Sequence, residues 1–103
     1  NQGKTFSEPI RVDAGQSQGR VDLEWLDEKT IIASWLEADE EYSSIVYRKI
    51  ETNGTLSEIS YVESLGGGRG IGYPQFELME DKILFMWTDP LGKNQINSRW
   101  IDL

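Results

Sequence analysis

The chain has 103 residues, of which 38% are hydrophobic, and a formal net charge of −8 at pH 7. This charge argues against a nucleic-acid partner, which requires a basic surface, and no apolar run is long enough for a membrane-spanning helix. The absence of Cys and His excludes disulfides, thiolate catalysis, His-based triads and zinc sites of the usual ligand types. The acidic run 37–41 could attract a cation such as calcium but lacks an EF-hand-like spacing, so a solvated loop is the better interpretation and we expect no metal and no cofactor.

The chain reads as a series of short extended runs, and no helical period occurs. The second run shows the signal most clearly, because Val21, Leu23 and Trp25 alternate with Asp22 and Glu24, which predicts a strand with one more apolar face. In chain order the predicted runs are Phe6 to Val12, Val21 to Leu26, Thr30 to Leu36, Ser44 to Glu51, Leu56 to Glu63, Pro74 to Met79, Lys82 to Thr88 and Gln95 to Asp102.

Two of these runs are apolar on both faces. They are the stretches 31–36 and 83–87, each of which contains a Trp. A strand of this kind has to be covered on both sides, as in a sheet that lies between two neighbouring sheets. The first run contains Pro9, and proline in a sheet is tolerated mainly at an edge, so we expect this run to be outermost.

The second half of the chain repeats the first. The pattern that begins at Thr5 returns at Thr55, 55 − 5 = 50 residues later, and the two Trp of the apolar runs are separated by 87 − 35 = 52 residues. We therefore divide the chain into two repeats, residues 1–53 and 54–103. Repeats of this size bury their apolar faces by stacking on neighbours, and about three are normally needed. We expect further repeats or self-association to complete the structure.

The predicted fold is all-β, with two tandem four-stranded antiparallel blades of a β-propeller. In each repeat the order is an outer edge strand, an inner alternating strand, a buried middle strand and a third strand. The run 6–12 then completes the sheet of a preceding blade, and in self-association it would pair with the run 95–102 of a neighbour. The alternative is a fibronectin-III- or Ig-like sandwich, which does not explain the second Trp.

A turn motif precedes the first strand of each repeat. Asn1, Gly3, Thr5 and Phe6 resemble the Asp-box of the sialidase-like (BNR-repeat) β-propellers, Ser-x-Asp-x-Gly-x-Thr-Trp, with Asn in the Asp place and Phe in the Trp place. A shortened second copy consists of Asn53, Gly54 and Thr55. In that family the box lies between the third and fourth strands, and its short polar side chain accepts backbone N–H bonds and fixes a tight turn.

The resemblance implies a bacterial glycan-handling protein that is secreted, periplasmic or attached to the cell surface. The expected function is a scaffold with a glycan-recognition surface that is not catalytic by itself. The family's catalytic residues are spread over a complete ring, and no local motif carries any of them onto this chain. One alternative is that the chain supplies part of the pocket of an exo-acting glycoside hydrolase of the sialidase type. Another is a protein-interaction propeller.

Candidate ligand-binding residues lie in the longer loops, at one end of the predicted sheets. This end, here called the loop end, comprises residues 13–20, 36–43, 63–73 and 88–94. Arg20 and Arg69 adjoin Gly-rich connections and suit bidentate binding of a carboxylate, or else form ordinary surface ion pairs. Tyr73 also lies there. It is one of three Tyr that would serve as a nucleophile in an enzyme, and the sequence favours none of the three.

Glu37 and Asp89 each follow a Trp by two residues, at Trp35 and Trp87. In a binding site, this pair would form an aromatic platform for a sugar beside a carboxylate. In a structural role, the Trp fills the space between blades and the acid caps the next turn. The repetition favours the structural role, because packing recurs in every blade whereas chemistry rarely does.

Overall fold

A computed structural model describes residues 8–38, 42–66, 74–88 and 95–103, and every regular element within these ranges is a β-strand. The strands are β1 (Asp22–Trp25), β2 (Thr30–Ala38), β3 (Tyr42–Glu51), β4 (Ser60–Gly66), β5 (Gln75–Met79), β6 (Lys82–Thr88) and β7 (Ile96–Asp102). The predicted all-β class is therefore confirmed.

The strands form two antiparallel sheets, each made of consecutive strands. Sheet A has the order β1-β2-β3-β4 and sheet B the order β5-β6-β7. A fibronectin-III- or Ig-like sandwich exchanges strands between its sheets through Greek-key connections. The described strands make no such exchange, so their order is not that of the sandwich alternative.

The strand bounds follow the apolar runs closely. β6 coincides with the predicted run Lys82 to Thr88, whereas β2 extends two residues beyond its predicted end, to Ala38. β4 begins four residues later than predicted, at Ser60, because Leu56 makes only an isolated bridge to Ile50.

The prediction of a first strand over 6–12 is wrong for its described part. Residues 8–12 belong to no strand, and Phe6 lies outside the described residues. The prediction assumed a preceding sheet, and among the described residues no strand pairs with this segment. The segment lies instead on the outer face of sheet A, where Val12 packs against Ala33, Trp35 and Val46. The Val12 carbonyl accepts a hydrogen bond from Arg48 Nη1 at 2.7 Å.

The second box-like turn joins β3 to β4. Asn53 Oδ1 accepts a hydrogen bond from the Thr55 backbone N–H at 2.9 Å, and Gly54 has a φ of 95°, a conformation that favours glycine. The turn closes through a bond from Glu51 N–H to Thr55 O at 2.8 Å. This is the local bonding expected of a short polar side chain in such a turn. The first copy, Asn1 to Phe6, lies outside the described residues.

The two sheets pack face to face around a shared core, here called the central core. Tyr47 of sheet A and Phe85 of sheet B meet across it with ring centroids 5.7 Å apart. At its margins Arg99 Nη2 lies 2.8 Å from Glu63 Oε1, and Asp22 Oδ2 accepts a bond from Phe76 N–H at 3.2 Å. The buried residues of this core are Ile32, Leu36, Ile45, Val62 and Leu65 of sheet A, and Phe76, Ile83, Phe85 and Trp87 of sheet B.

The two middle strands differ in how they are covered. Every residue from Ile32 to Glu37 of β2 is buried, which confirms the prediction of a strand covered on both faces. For β6 the same prediction is wrong. Ile83, Phe85 and Trp87 are buried, but Met86 on the opposite face is exposed, because no described segment lies on the outer face of sheet B.

The apolar face of β1 points away from the central core. Asp22 and Glu24 are partly buried, whereas Leu23 and Trp25 are 57% and 60% exposed. In register, Leu23 lies opposite Ala33 and Trp25 opposite Ile31, so they belong to the outer face of sheet A. The alternation is as predicted, but the more apolar side is the one left open.

We expect Phe85→Ala to lower the free energy of unfolding by about 3–5 kcal/mol, because it removes a fully buried ring that joins the two sheets. Urea denaturation of a dilute sample measures the change. Tyr61→Ala serves as the matched aromatic control, since Tyr61 is 69% exposed, and its effect should stay below about 1 kcal/mol. Equal losses in the two variants would contradict the central core.

Candidate functional site

The loop before β1 is held in place by the carboxylate of Glu37. Glu37 lies near the end of β2 and is only 6% exposed. Its Oε1 accepts hydrogen bonds from Ala14 N–H and Trp35 Nε1, both at 2.8 Å, and its Oε2 accepts one from Gln16 N–H at 2.7 Å. Three donors on one carboxylate satisfy a buried charge that would otherwise destabilise the fold.

Trp35 shares this arrangement and is itself buried. Its ring is 3% exposed and packs with Ala33 and Val46 on the outer side of sheet A. A ring that lies inside the protein cannot stack on a sugar. In its described contacts Glu37 does not cap the turn that follows it, as the structural interpretation expected, but binds backbone N–H groups of the loop before β1. Trp87 is buried in the central core, and Asp89 lies outside the described residues.

The carboxylate of Asp13 also holds this loop in place. Asp13 accepts a hydrogen bond from Arg11 Nε at 2.7 Å and one from Ser17 N–H at 3.3 Å. The hydrogen bond from the Arg11 guanidinium is the main cause that holds the pKa of Asp13 below its usual range, and the positive charge of Arg11 adds to it. The loop therefore turns around two acids, Glu37, which is buried, and Asp13, which is partly buried.

Backbone bonds continue the pairing of sheet A beyond β1. Gln18 N–H donates to Leu36 O at 2.8 Å, Leu36 N–H to Gly19 O at 3.0 Å, and Ala38 N–H to Gln16 O at 2.9 Å. Gly19 and Arg20 then adopt positive φ values of 79° and 56°. A left-handed Arg is unfavourable by about 1–2 kcal/mol, so the surrounding bonds fix this bend and hold Arg20 at the loop end.

The described residues bring only part of the predicted site together. Arg20 and Glu37 lie at the loop end, on segments joined by the bond between Leu36 and Gly19. The other three ligand-binding candidates, Arg69, Tyr73 and Asp89, lie outside the described residues. For Glu37, both carboxylate oxygens already accept protein hydrogen bonds, so a ligand would have to compete with them.

Two features of this region are absent from the sequence prediction. The first is the pair Arg11 and Asp13, for which the spacing Arg-x-Asp is a weak local signal. The second is an apolar groove of about 340 Å³ on the outer face of sheet A. Its apolar lining residues are Ile10, Val12, Val21, Leu23, Ala33, Trp35 and Ile50. The alternation of Val21 and Leu23 predicted that these two side chains share one face of a strand. It did not predict that this face would be the outer face of sheet A.

A larger depression, of about 560 Å³, lies at the opposite end of sheet A. It is lined by the turn 27–30 and by residues 51–53, and it combines three carboxylates with the ammonium group of Lys29. Within the described ranges, no cluster of three or more acids is placed to hold a metal ion. No helix in these ranges is long and apolar enough to cross a membrane.

Comparisons with protein-family models, with curated proteins and with solved structures found no match to this chain.

We expect Glu37→Gln to lower the free energy of unfolding by about 1–3 kcal/mol, because one of the acceptors for the loop N–H groups is replaced by an amide donor. Hydrogen exchange should accelerate at Ala14 and Gln16, the two residues whose backbone N–H groups bind Glu37. The matched control is Glu51→Gln, an exposed acid at the end of β3, with an expected change within about 0.5 kcal/mol. Unchanged exchange at Ala14 and Gln16 would disprove the anchoring role.

The contribution of Asp13 should depend on pH. Because its pKa is lowered in the folded chain, its stabilising effect is present above the unfolded pKa and is lost as the pH falls through the folded value. An NMR titration should place the Asp13 midpoint below that of an ordinary Asp. Arg11→Gln should raise the midpoint, and Lys29→Gln, a change at the far end of the sheet, should not. A midpoint insensitive to Arg11 would refute the assignment.

Proposed function

We propose that the chain is a two-blade scaffold of a β-propeller of the sialidase-like type, which takes part in glycan recognition through its loop end and is not catalytic by itself. The observation that supports this most directly is the stacking of two sheets with the same internal order. β1, β2 and β3 of sheet A are followed in chain order by β5, β6 and β7 of sheet B, each set a simple antiparallel meander. Blades of a propeller have this organisation.

The position of the first strand in each sheet also agrees with blades. β1 and β5 approach each other, and the carboxylate of Asp22 accepts a hydrogen bond from Phe76 N–H. In a propeller the first strands of successive blades line the central axis and are therefore neighbours. A sandwich built from two independent meanders has no such requirement.

The loop end supplies the part of the proposal that concerns ligands. Binding sites are commonly carried by loops on a rigid framework, and the loop 13–20 is fixed by Glu37, Asp13 and the backbone bonds to residues 36–38. Arg20 stands at its end in a left-handed conformation. An Arg carried on a fixed backbone suits recognition of the carboxylate of an acidic sugar.

A binding titration tests this role. We expect a sialylated trisaccharide to bind more tightly than the same sugar without its acidic residue, and Arg20→Ala to weaken binding of the acidic form by about 10- to 100-fold, the range of a lost charged hydrogen-bond pair. Arg69→Ala, outside the described residues, should have a similar effect if both arginines contact the carboxylate.

Lys29→Ala is the matched control, because it removes a positive charge at the opposite end of sheet A. Its affinity should equal that of the unchanged chain. Equal binding of the acidic and neutral sugars, or equal losses in Lys29→Ala and Arg20→Ala, would exclude carboxylate recognition at the loop end. Hydrolysis of a chromogenic sialoside by this chain alone would overturn the non-catalytic assignment.

A further inference from the structure

Both outer faces of the stacked sheets carry exposed apolar side chains. On sheet A these are Val21, Leu23 and Trp25, which are 57–65% exposed and continue into the apolar groove. On sheet B they are Met86, Ile96 and Trp100, at 43%, 68% and 52%. Exposed apolar surfaces of this kind mark interaction sites. In the central core, one face of sheet A packs on one face of sheet B, so this contact is a guide to what the two open faces could bind.

The repeat relates these open faces to the two halves of the central core. Trp35 on the outer face of sheet A corresponds to Trp87 in the central core, since 87 − 35 = 52, and Arg48 corresponds to Arg99, since 99 − 48 = 51. The outer face of sheet A is therefore the counterpart of the buried face of sheet B. By the same spacings, Leu84 and Ile96 on the outer face of sheet B correspond to Ile32 and Ile45, in the buried face of sheet A.

The segment 8–13 packs on the outer face of sheet A in the way that β4 packs on sheet B in the central core. Val12 packs on the outer face of sheet A and accepts a bond from Arg48. Its counterpart 50 residues later, Val62, packs in the central core beside Glu63, the partner of Arg99. The segment thus lies on sheet A as β4 lies on sheet B. What differs is that β4 is paired with β3, while residues 8–12 are in no strand.

Sheet B has one strand fewer than sheet A among the described residues. Its last strand, β7, pairs with β6 on one side, and no described strand lies on its other side. In sheet A the corresponding strand, β3, pairs with β4 there. A sheet B from another chain, with its β7 beside residues 8–12, would therefore complete a four-stranded sheet and cover the outer face of sheet A at the same time.

We propose that copies of this chain associate head to tail, with the outer face of sheet B of one copy on the outer face of sheet A of the next. The inference rests on the blade arrangement proposed above, but not on glycan binding. The contact is heterologous, so it closes into a ring if successive rotations complete a circle. Propellers have four to eight blades, which corresponds to about two to four chains.

The register of the contact follows from the repeat. Tyr47 of β3 lies opposite Ser60 of β4. Their counterparts are Ser98, since 98 − 47 = 51, and Ile10, since 60 − 10 = 50. Ile10 of one copy should thus lie opposite Ser98 of a second copy, with the strands antiparallel.

The chain contains no Cys, so disulfide trapping tests this register. Chains carrying Ile10→Cys are mixed with chains carrying Ser98→Cys under mild oxidation, and we expect one crosslinked heterodimer in high yield. Lys29→Cys mixed with Ser98→Cys is the control and should give at least tenfold less. Equal yields in the two mixtures would overturn the proposal.

Light scattering after size exclusion provides the second measurement. We expect a discrete multiple of 11.8 kDa, favoured by added salt because each chain carries a net charge of −8 and repels its copies. Trp100→Glu should shift the midpoint of association at least tenfold to higher concentration. Leu103→Glu, an exposed apolar position beyond the end of β7, should not.

A monomer at all concentrations and salt levels would overturn the proposal. The glycan titration is independent of this result. Crosslinking in the expected register without carboxylate-dependent binding would leave the association standing and refute only the glycan-recognition role. The converse result would refute only the association.

Discussion

The structure depends on the burial of one face of sheet A against one face of sheet B. Each sheet has only three or four strands, and their apolar burial against each other helps to offset the entropy lost on folding. Their stacking joins Phe85 and Trp87 of the second repeat to Ile32 and Ile45 of the first in one core. Loops, turns and open faces are placed by this contact, since it sets the two sheets' relative orientation.

The same requirement explains the unusual surface. A repeat that buries both of its faces needs a neighbour on each side, and two repeats provide one shared contact and leave two faces open. On sheet A the segment 8–13 covers part of the open face through Val12 and Arg48. On sheet B, Met86 and Trp100 remain exposed. The outer face of sheet A is thus partly covered, whereas the described outer face of sheet B is not.

The conformation of the loop before β1 depends on a buried carboxylate, that of Glu37. Glu37 would be costly inside the protein without partners, but its bonds to Ala14, Gln16 and Trp35 make it the fixed point of the loop. The consequence is a loop whose shape is determined by the end of β2. The backbone of Arg20, which follows Gly19 at the end of this loop, is placed by the same bonds.

The sequence was sufficient to predict most strands because their signals are local. β6 was predicted to the residue, since an apolar run bounded by Asp81 and Thr88 has few alternatives. The segment 6–12 was predicted as a strand and its described part is not one, because a strand there needs a partner strand, and none of the strands that the structure describes pairs with it. The alternation of apolar and polar residues in β1 predicted a strand, but not which of its two faces would be covered. The covered face is decided by where sheet B packs.

The anchoring role of Glu37 was only partly visible in the sequence. The Trp-x-acid spacing suggested a capping acid, but the donors Ala14 and Gln16 lie more than 20 residues earlier in the chain. No local pattern indicates such long-range partners. The pair Arg11 and Asp13, two residues apart, is a local signal that chains with many acids often contain by chance.

The most direct test of the central claim is a nuclear Overhauser measurement of which aromatic rings meet between the repeats. Stacking of the sheets through the central core requires cross-peaks between the ring protons of Tyr47 and Phe85, whose centroids are 5.7 Å apart. Trp35, on the other face of sheet A, should show none to Phe85. Cross-peaks from Phe85 to Trp35, with none to Tyr47, would mean that the sheets stack through the opposite face, and would contradict the arrangement.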